Sequence, residues 1–436
     1  VMDRSGSMAG KKIEQARGAL KVALGRLRPQ DRFNVLTFSD RVERFAREPM
    51  EATRENLRRA TAWVDDIVAD SGTNIDGALQ EGLAQFPEAG SGNRLLFFTD
   101  GLPTVGNRDQ KAIVENAVRA AARRVRTFVF GVGYDVDVPF LDTLAGRLRG
   151  DADYVRPDED IEVKTARFVA RTSTPVLENL TLTVDGVKTT EVYPRPEEMP
   201  DLFDGGQVAI VGRYAGSAAA VRVTLRGEAG GRPRTFALTA RFPEQAPEAD
   251  FLPRLWASRK IGHLMDQVRL SEPNDPRTRE IVALIVALSK EHGILTPYTA
   301  LFVPEPGAPV PTPGAGGFAG GLPADALRGA ARAGEGAVNL SQANRAQKGQ
   351  AQVGNRFALG AQAGADRDLA EERARRIQNV AGRAFYQRGA VWEDATYDPK
   401  KQTEVVKVRL FSDAYFALVR RNRTLARWAA LGGQVR

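Results

Sequence analysis

Two short, nearly uninterrupted apolar runs, Leu95-Leu-Phe-Phe98 and Thr127-Phe-Val-Phe130, constrain this chain most. Each is bounded by turn residues and too short for a helix. Such runs suit strands buried on both faces, the condition of a parallel sheet covered by helices. The segments around them alternate accordingly. Lys11 to Leu27 places Ile13, Ala16, Leu20, Ala23, Leu24 and Leu27 at helical spacing, with Pro29 as its stop. Phe33 to Phe38 reads as a strand and Val42 to Phe45 as a short second one. Leu57 to Val68 is amphipathic, and helices are expected at about 109–123 and 138–148. This alternation predicts an α/β, doubly wound, Rossmann-like domain over 1–173.

After Pro175 the texture changes. Leu180 to Val184, Gln207 to Val211, Val221 to Leu225 and Thr235 to Thr239 alternate or run as β segments, punctuated by Asp185-Gly186 and Gly230-Gly231. They predict an antiparallel β-sandwich, followed by a helical hairpin that closes at Gly293, together spanning 174–304. Residues 305–365 are rich in Gly, Pro, Ala and Gln and read as a flexible linker. Gly314 to Gly321 lacks the strand and the Lys-Ser/Thr that a phosphate loop needs. A small α+β module is expected over 366–436. Its strands would include Ala384 to Tyr386, Val391-Trp392 and Val405 to Phe411. A final helix from Tyr415 to Leu431 would bury Leu418, Leu425 and Trp428.

Composition removes several chemistries. The chain has no cysteine, so disulfides, thiol catalysis, zinc–thiolate sites and iron–sulfur clusters are excluded. Its two histidines, His263 and His292, both fall in helical contexts, which argues against a Ser–His–Asp triad. No apolar stretch approaches the ~18 residues of a membrane span. The formal net charge of +8 is mostly arginine spread along the chain. Its densest patch, Arg420, Arg421, Arg423 and Arg427, reads as a solvated helix face, and no motif points to nucleic acid.

The chemistry concentrates at Asp3-Arg4-Ser5-Gly6-Ser7. Asp3 would end the first parallel strand, and the turn after it would bring Ser5 and Ser7 to one point above the sheet edge. Open α/β sheets bind ligands there, outside the carboxyl ends of the strands. Alone, the pentapeptide could also be an ordinary helix start with Ser7 as its cap, the less favoured of the two readings. It is accompanied, however, by Asp70-Ser-Gly-Thr73-Asn-Ile, a loop leading into a helix at Ile75, and by Thr99-Asp100-Gly101 at the end of a buried strand. The Asp3 carboxylate with the Ser5 and Ser7 hydroxyls would form an oxygen-only shell, which hard cations such as Mg²⁺ prefer.

Together Asp3, Ser5, Ser7, Thr73 and Asp100 resemble the metal-ion-dependent adhesion site of von Willebrand factor type A domains. The resemblance implies that Ser5, Ser7 and Thr73 ligate the metal through hydroxyls, while Asp3 and Asp100 act directly or through water. Magnesium is the expected ion, with calcium or manganese as substitutes. One coordination position would stay open for an Asp or Glu carboxylate of a partner. Farther along, Pro194 to Phe203, Gly212-Arg-Tyr, Leu255-Trp-Ala-x-x-Lys-Ile and Gly293 to Thr299 resemble inter-alpha-trypsin inhibitor heavy chains. Bacterial proteins pairing a vault/inter-alpha-trypsin (VIT) domain with an A domain fit best. On that reading a VIT domain lies upstream, and the chain, with almost no strand before Asp3, is a fragment of a longer protein. The animal family's Asp-Pro-His-Phe processing site is missing: Asp398-Pro399 is followed by Lys400. Covalent transfer to hyaluronan therefore does not carry over.

The expected function is non-enzymatic: adhesion or scaffolding through a metal that binds acidic groups on protein or matrix ligands, at a cell surface, outside the cell or in the periplasm. Lewis-acid hydrolysis would need a positioned base and nucleophile beside the ion. The alternative is an intracellular A-domain partner of an AAA-type ATPase in metal insertion or complex assembly. The β segments and heavy-chain motifs argue against it.

Overall fold

The computed structural model describes residues 1–436 apart from 88–91, 122–124, 157–158, 160, 173–174, 204–205, 247–248, 271–274, 300–332, 350–374, 398–405, 423 and 433. A six-stranded sheet organises the first part of the chain. Its strands are β1 (Met2–Asp3), β2 (Leu36–Phe38), β3 (Val42–Arg44), β4 (Asn93–Thr99), β5 (Val125–Val132) and β6 (Ala152–Val155). They lie in the order β3-β2-β1-β4-β5-β6. All neighbours are parallel except β3, which turns back antiparallel on β2. Six helices cover the sheet: α1 (Lys11–Leu24), α2 (Arg54–Asp65), α3 (Ile75–Leu83), α4 (Gln110–Ala121), α5 (Val138–Arg147) and α6 (Ile161–Thr172).

The apolar runs explain the layering. Adjacent strand residues point to opposite faces, so Phe97 and Val129 join one core while Phe98 and Phe130 join the other. The first core is completed by Ile75 and Leu79 of α3, Ile113 of α4 and Phe140 and Leu144 of α5. The second takes Ile13, Ala16 and Leu20 of α1, Val64 of α2 and Ile161 of α6. The rings of Phe98 and Phe130 stack with centroids 4.8 Å apart. Burying each such side chain contributes about 1.5–3 kcal/mol.

Some boundaries differ from expectation. The strand expected over Phe33–Phe38 is broken at Asn34. Its Oδ1 accepts from Val35 N and Ala46 N, and its Nδ2 donates to Ala46 O at 2.7 Å. The side chain takes backbone partners that a continuous ladder would use. Arg32–Phe33 instead pairs with Met50–Glu51 as a separate ribbon. Helix α1 stops at Leu24 rather than Leu27, because Gly25 follows and is a poor helix former.

Beyond 174 the β segments are antiparallel, as expected. A four-stranded sheet has the order β9-β7-β11-β12, formed from β7 (Pro175–Asp185), β9 (Leu202–Phe203), β11 (Ala218–Ala229) and β12 (Arg232–Phe242). A two-stranded ribbon pairs β8 (Lys188–Tyr193) with β10 (Val211–Ala215). The expected strand at Gln207–Val211 is displaced: 207–210 carries no strand, and pairing begins at Val211. This sheet belongs with the six-stranded sheet in one compact unit, Val1–Phe242, to which the stretch ending at Ser341 also belongs. Within that unit Arg126 of β5 makes a buried two-pronged ion pair with Asp201, Nε to Oδ2 at 2.6 Å and Nη2 to Oδ1 at 2.5 Å. Asn179 accepts from Arg126 and Arg149 and donates its backbone N–H to Asp201.

The linker reading of 305–365 is corrected over its middle. Glu335–Gly349 is a helix, α9. Its Ala337 and Val338 are buried in the first core, and Ser341 Oγ donates to the carboxylate of Asp142. Ala and Gln are good helix formers, and two buried apolar residues help offset the ordering cost that composition alone overstated. The rest of 305–365, including the glycine-rich stretch 314–321, lies outside the described residues.

The second compact unit holds the helical hairpin α7 (Leu252–Leu270) and α8 (Pro276–His292). Gly293 caps α8 in the left-handed region at φ 61°, as its position predicts. Helices and strand pairs of the last module belong to the same unit: β13 (Ile377–Val380), β14 (Arg383–Arg388), β15 (Val391–Asp394), α10 (Asp413–Arg421), α11 (Thr424–Ala429) and β16 (Gln434–Val435). Tyr386 Oη donates to Lys290 O at 3.0 Å. Two expectations fail here. Val406–Arg409 forms no strand, and the fourth strand is β16, parallel to β15. Val406 and Phe411 are 72% and 76% exposed, so no buried face holds that segment in a sheet. The single helix expected over Tyr415–Leu431 is two, and Leu418 is exposed rather than buried.

Candidate metal centre

Strand order reverses around β1. Chain leaving β1 through α1 feeds β2 on one side, while β4 lies on the other. Such a switch point, at the carboxyl ends of the strands, is where open α/β sheets form their ligand crevice. Asp3 is the last residue of β1, and Asp100 follows the last residue of β4. Main-chain bonds fix the loops between them. Arg4 N donates to Phe38 O, Asp70 N to Arg4 O, Gly6 N to Ser71 O, and Asn74 N to Ser39 O, all at 2.7–2.9 Å. The Thr73 loop is tied to the loop after Asp100 as well, because Thr104 N donates to Thr73 O and Thr73 N to Thr104 Oγ1.

All five expected residues meet in this crevice. Ser5 and Ser7 hydroxyls are 3.1 Å apart, and Ser7 Oγ donates to Asp100 Oδ1 at 2.9 Å. Asp3 accepts from Ser5 N at 2.8 Å. A side-chain carbon at Gly101 would stand 3.7 Å from Ser7 Oγ and 3.8 Å from Thr73 Oγ1, so the two hydroxyls border the same small space beside Gly101. Asp3, Ser5, Thr73 and Asp100 are buried, and Ser7 alone reaches the surface. Arg4 leaves the cluster and pairs with Glu43 at 2.6 Å.

Two contributors were not anticipated. Thr99 Oγ1 donates to Asp3 Oδ2 at 2.6 Å. Lys12 Nζ donates to Asp100 Oδ2 at 2.7 Å and to Asp135 at 3.3 Å. Thr99 directly precedes Asp100, and Lys12 lies on the first turn of α1, so position alone was the available signal.

Burial pushes the Asp3 carboxyl up to about 6; Thr99 and Ser5 counter this with hydrogen bonds, and the nearby Asp100 charge adds to it. The two carboxylates lie together at the sheet edge, and Lys12 supplies one positive charge, to Asp100. Among the described residues no group of three or more His, Cys, Asp or Glu could hold a metal. Any shell here would draw on hydroxyls, backbone carbonyls or water besides the two carboxylates, and an oxygen-only set of this kind fits a hard divalent ion.

Residues 1–154 match the family model described as von Willebrand factor type A domain. Among curated proteins, the chain is 28% identical over 325 residues to inter-alpha-trypsin inhibitor heavy chain H2 of Sus scrofa, covering 70% of this chain and 34% of that one. It is 29% identical over 324 residues to heavy chain H4 of Homo sapiens, with the same coverage of each. The chain thus spans about a third of the length of these relatives. Among solved structures it is similar to a von Willebrand factor type A protein from Catenulispora acidiphila, at 17% identity and a TM-score of 0.49, covering 70% of this chain and 81% of that one. Residues 1–154 are a von Willebrand factor type A domain, carried in a chain related to the inter-alpha-trypsin inhibitor heavy chains.

Proposed function

We propose that this chain is a non-enzymatic, metal-dependent binding module. Asp3, Ser5, Ser7, Thr73 and Asp100 would hold one magnesium ion, and an open coordination position would take an Asp or Glu carboxylate from a protein or matrix partner. The convergence of two buried carboxylates and three hydroxyls in one crevice carries this reading. Neutral hydroxyls leave the bound ion electropositive, so it attracts anions. The Ser5 and Ser7 hydroxyls pair with each other, and Ser7 also donates to Asp100, an arrangement suited to holding an ion. Calcium and manganese are secondary candidates. The wider reading, of a bacterial protein at the cell surface with a VIT domain upstream, rests on the family resemblance.

Isothermal titration with Mg²⁺ tests the site. Asp3→Ala should cost more than the roughly 10–100-fold typical of an outer-shell loss, and more than Ser5→Ala. Arg4→Ala, whose side chain leaves the cluster, should bind like the parent. Equal affinities for Asp3→Ala, Asp100→Ala and the parent would refute the assignment.

A further inference from the structure

Asp100 uses its two oxygens differently. Oδ1 faces the serines and accepts from Ser7, while Oδ2 faces away and accepts from Lys12. The Lys12 ammonium is held rather than casually placed. Its stem crosses Gly133, where a Cβ would come within 3.0 Å of Lys12 Cε. Gly133 follows β5 with φ +88°, a conformation that also favours glycine. The ammonium end is fixed between the fully buried carboxylate of Asp100 and Asp135, which is 83% exposed and screened by water.

Resting on the metal-centre reading, we propose that Lys12 is a built-in counter-cation of that centre: it weakens retention of the metal and keeps the bound ion receptive to an anionic ligand. The charge balance gives the reason. Asp3 and Asp100 contribute −2 and Lys12 +1, so a divalent ion brings the cluster to +1. One carboxylate from a partner then neutralises it. Without Lys12 the loaded centre is already neutral, holds its metal more tightly and gains less from an incoming anion.

The test uses the full chain. Mg²⁺ affinity is measured by calorimetry for the parent, Lys12→Met and Lys12→Gln, with thermal melting to confirm folding. The centre is then loaded with Mn²⁺, and water-proton relaxation is followed as acetate displaces bound water. Both variants should bind Mg²⁺ about tenfold more tightly, the effect of removing one like charge near a water-exposed ion, and both should need more acetate. Glutamine keeps a hydrogen-bond donor without the charge. If Met alone tightens binding, or if neither does, the counter-cation role is overturned. Should Met fail to fold, Gln decides. A parent that binds no Mg²⁺ defeats the metal-centre reading itself. A parent whose binding is lost in Asp3→Ala but unchanged in the Lys12 variants defeats only this inference.

Discussion

Thr99 Oγ1 donates a 2.6 Å hydrogen bond to Asp3 Oδ2, tying the end of β4 to the end of β1 across two parallel neighbours. Both residues are fully buried. The hydroxyl therefore fixes which way the Asp3 carboxylate faces and leaves its other oxygen to Ser5 N. Thr99→Val keeps the shape and removes the donor, leaving a buried acceptor short of one partner. Stability should fall by about 1–3 kcal/mol, and Mg²⁺ affinity by about tenfold. Urea unfolding and calorimetric titration measure the two separately. A variant that is destabilised but binds Mg²⁺ normally would limit Thr99 to a structural part.

The raised Asp3 carboxyl has a defined pH signature. An unfolded Asp titrates near ~3.9, while the folded group titrates at about 6. Between those values the folded state holds more protons, so stability contributed by this group is greatest at low pH and is lost as pH rises through 6. A bound divalent cation offsets that loss by favouring the carboxylate. Mg²⁺ should therefore raise the melting temperature more at pH 7.5 than at pH 5, and Asp3→Asn should flatten the metal-free profile in this range. Identical Mg²⁺ shifts at both pH values would contradict the expectation.

Gly101 offers a way to close the crevice without unfolding the domain. A carbon there meets Ser7 and Thr73 only at ordinary contact distance, 3.7–3.9 Å. Gly101→Ala should keep the parent's melting temperature within a few degrees, about 1 kcal/mol of stability, while lowering Mg²⁺ affinity at least severalfold. Loss of folding instead would show that this space is needed by the loop itself.

The Arg126–Asp201 pair predicts a large asymmetry between single and double substitution. Asp201→Ala leaves a buried guanidinium uncompensated and should destabilise the first unit by about 3–5 kcal/mol. Replacing both as Arg126→Met with Asp201→Leu should recover most of that loss, because the desolvation of two charges disappears as well. Calorimetric melting of the three proteins decides; a double variant no better than Asp201→Ala alone would contradict the account.

What sequence revealed depended on how local the cause was. Phe97 and Phe98 announced a two-faced sheet because burial on both sides demands such runs. Asp3, Ser5 and Ser7 were readable because one turn brings them together. Thr73 and Asp100 needed the family resemblance, since only the strand order places their loops beside Ser7. Lys12 and Thr99 act through contacts that no spacing encodes, as does Asn34, whose side chain interrupts a strand by bonding twelve residues away. Composition misled where packing decides: Ala337 and Val338 order a helix in a Gly- and Ala-rich stretch, and Val406 to Phe411 has strand-like residues but no sheet to join.

The loops around the crevice are held by main-chain atoms, from Arg4 to Phe38, Gly6 to Ser71 and Asn74 to Ser39. These main-chain bonds hold the loops alongside the side-chain bonds of Ser7 and Thr104. Donor atoms can then be exchanged while the main-chain bonds remain: a thiol at Ser7 or an imidazole at Thr73 would shift preference toward softer ions such as zinc. The crevice is a mount with interchangeable fittings, so selectivity among metals can drift, or be engineered, through single side chains while the architecture stays put.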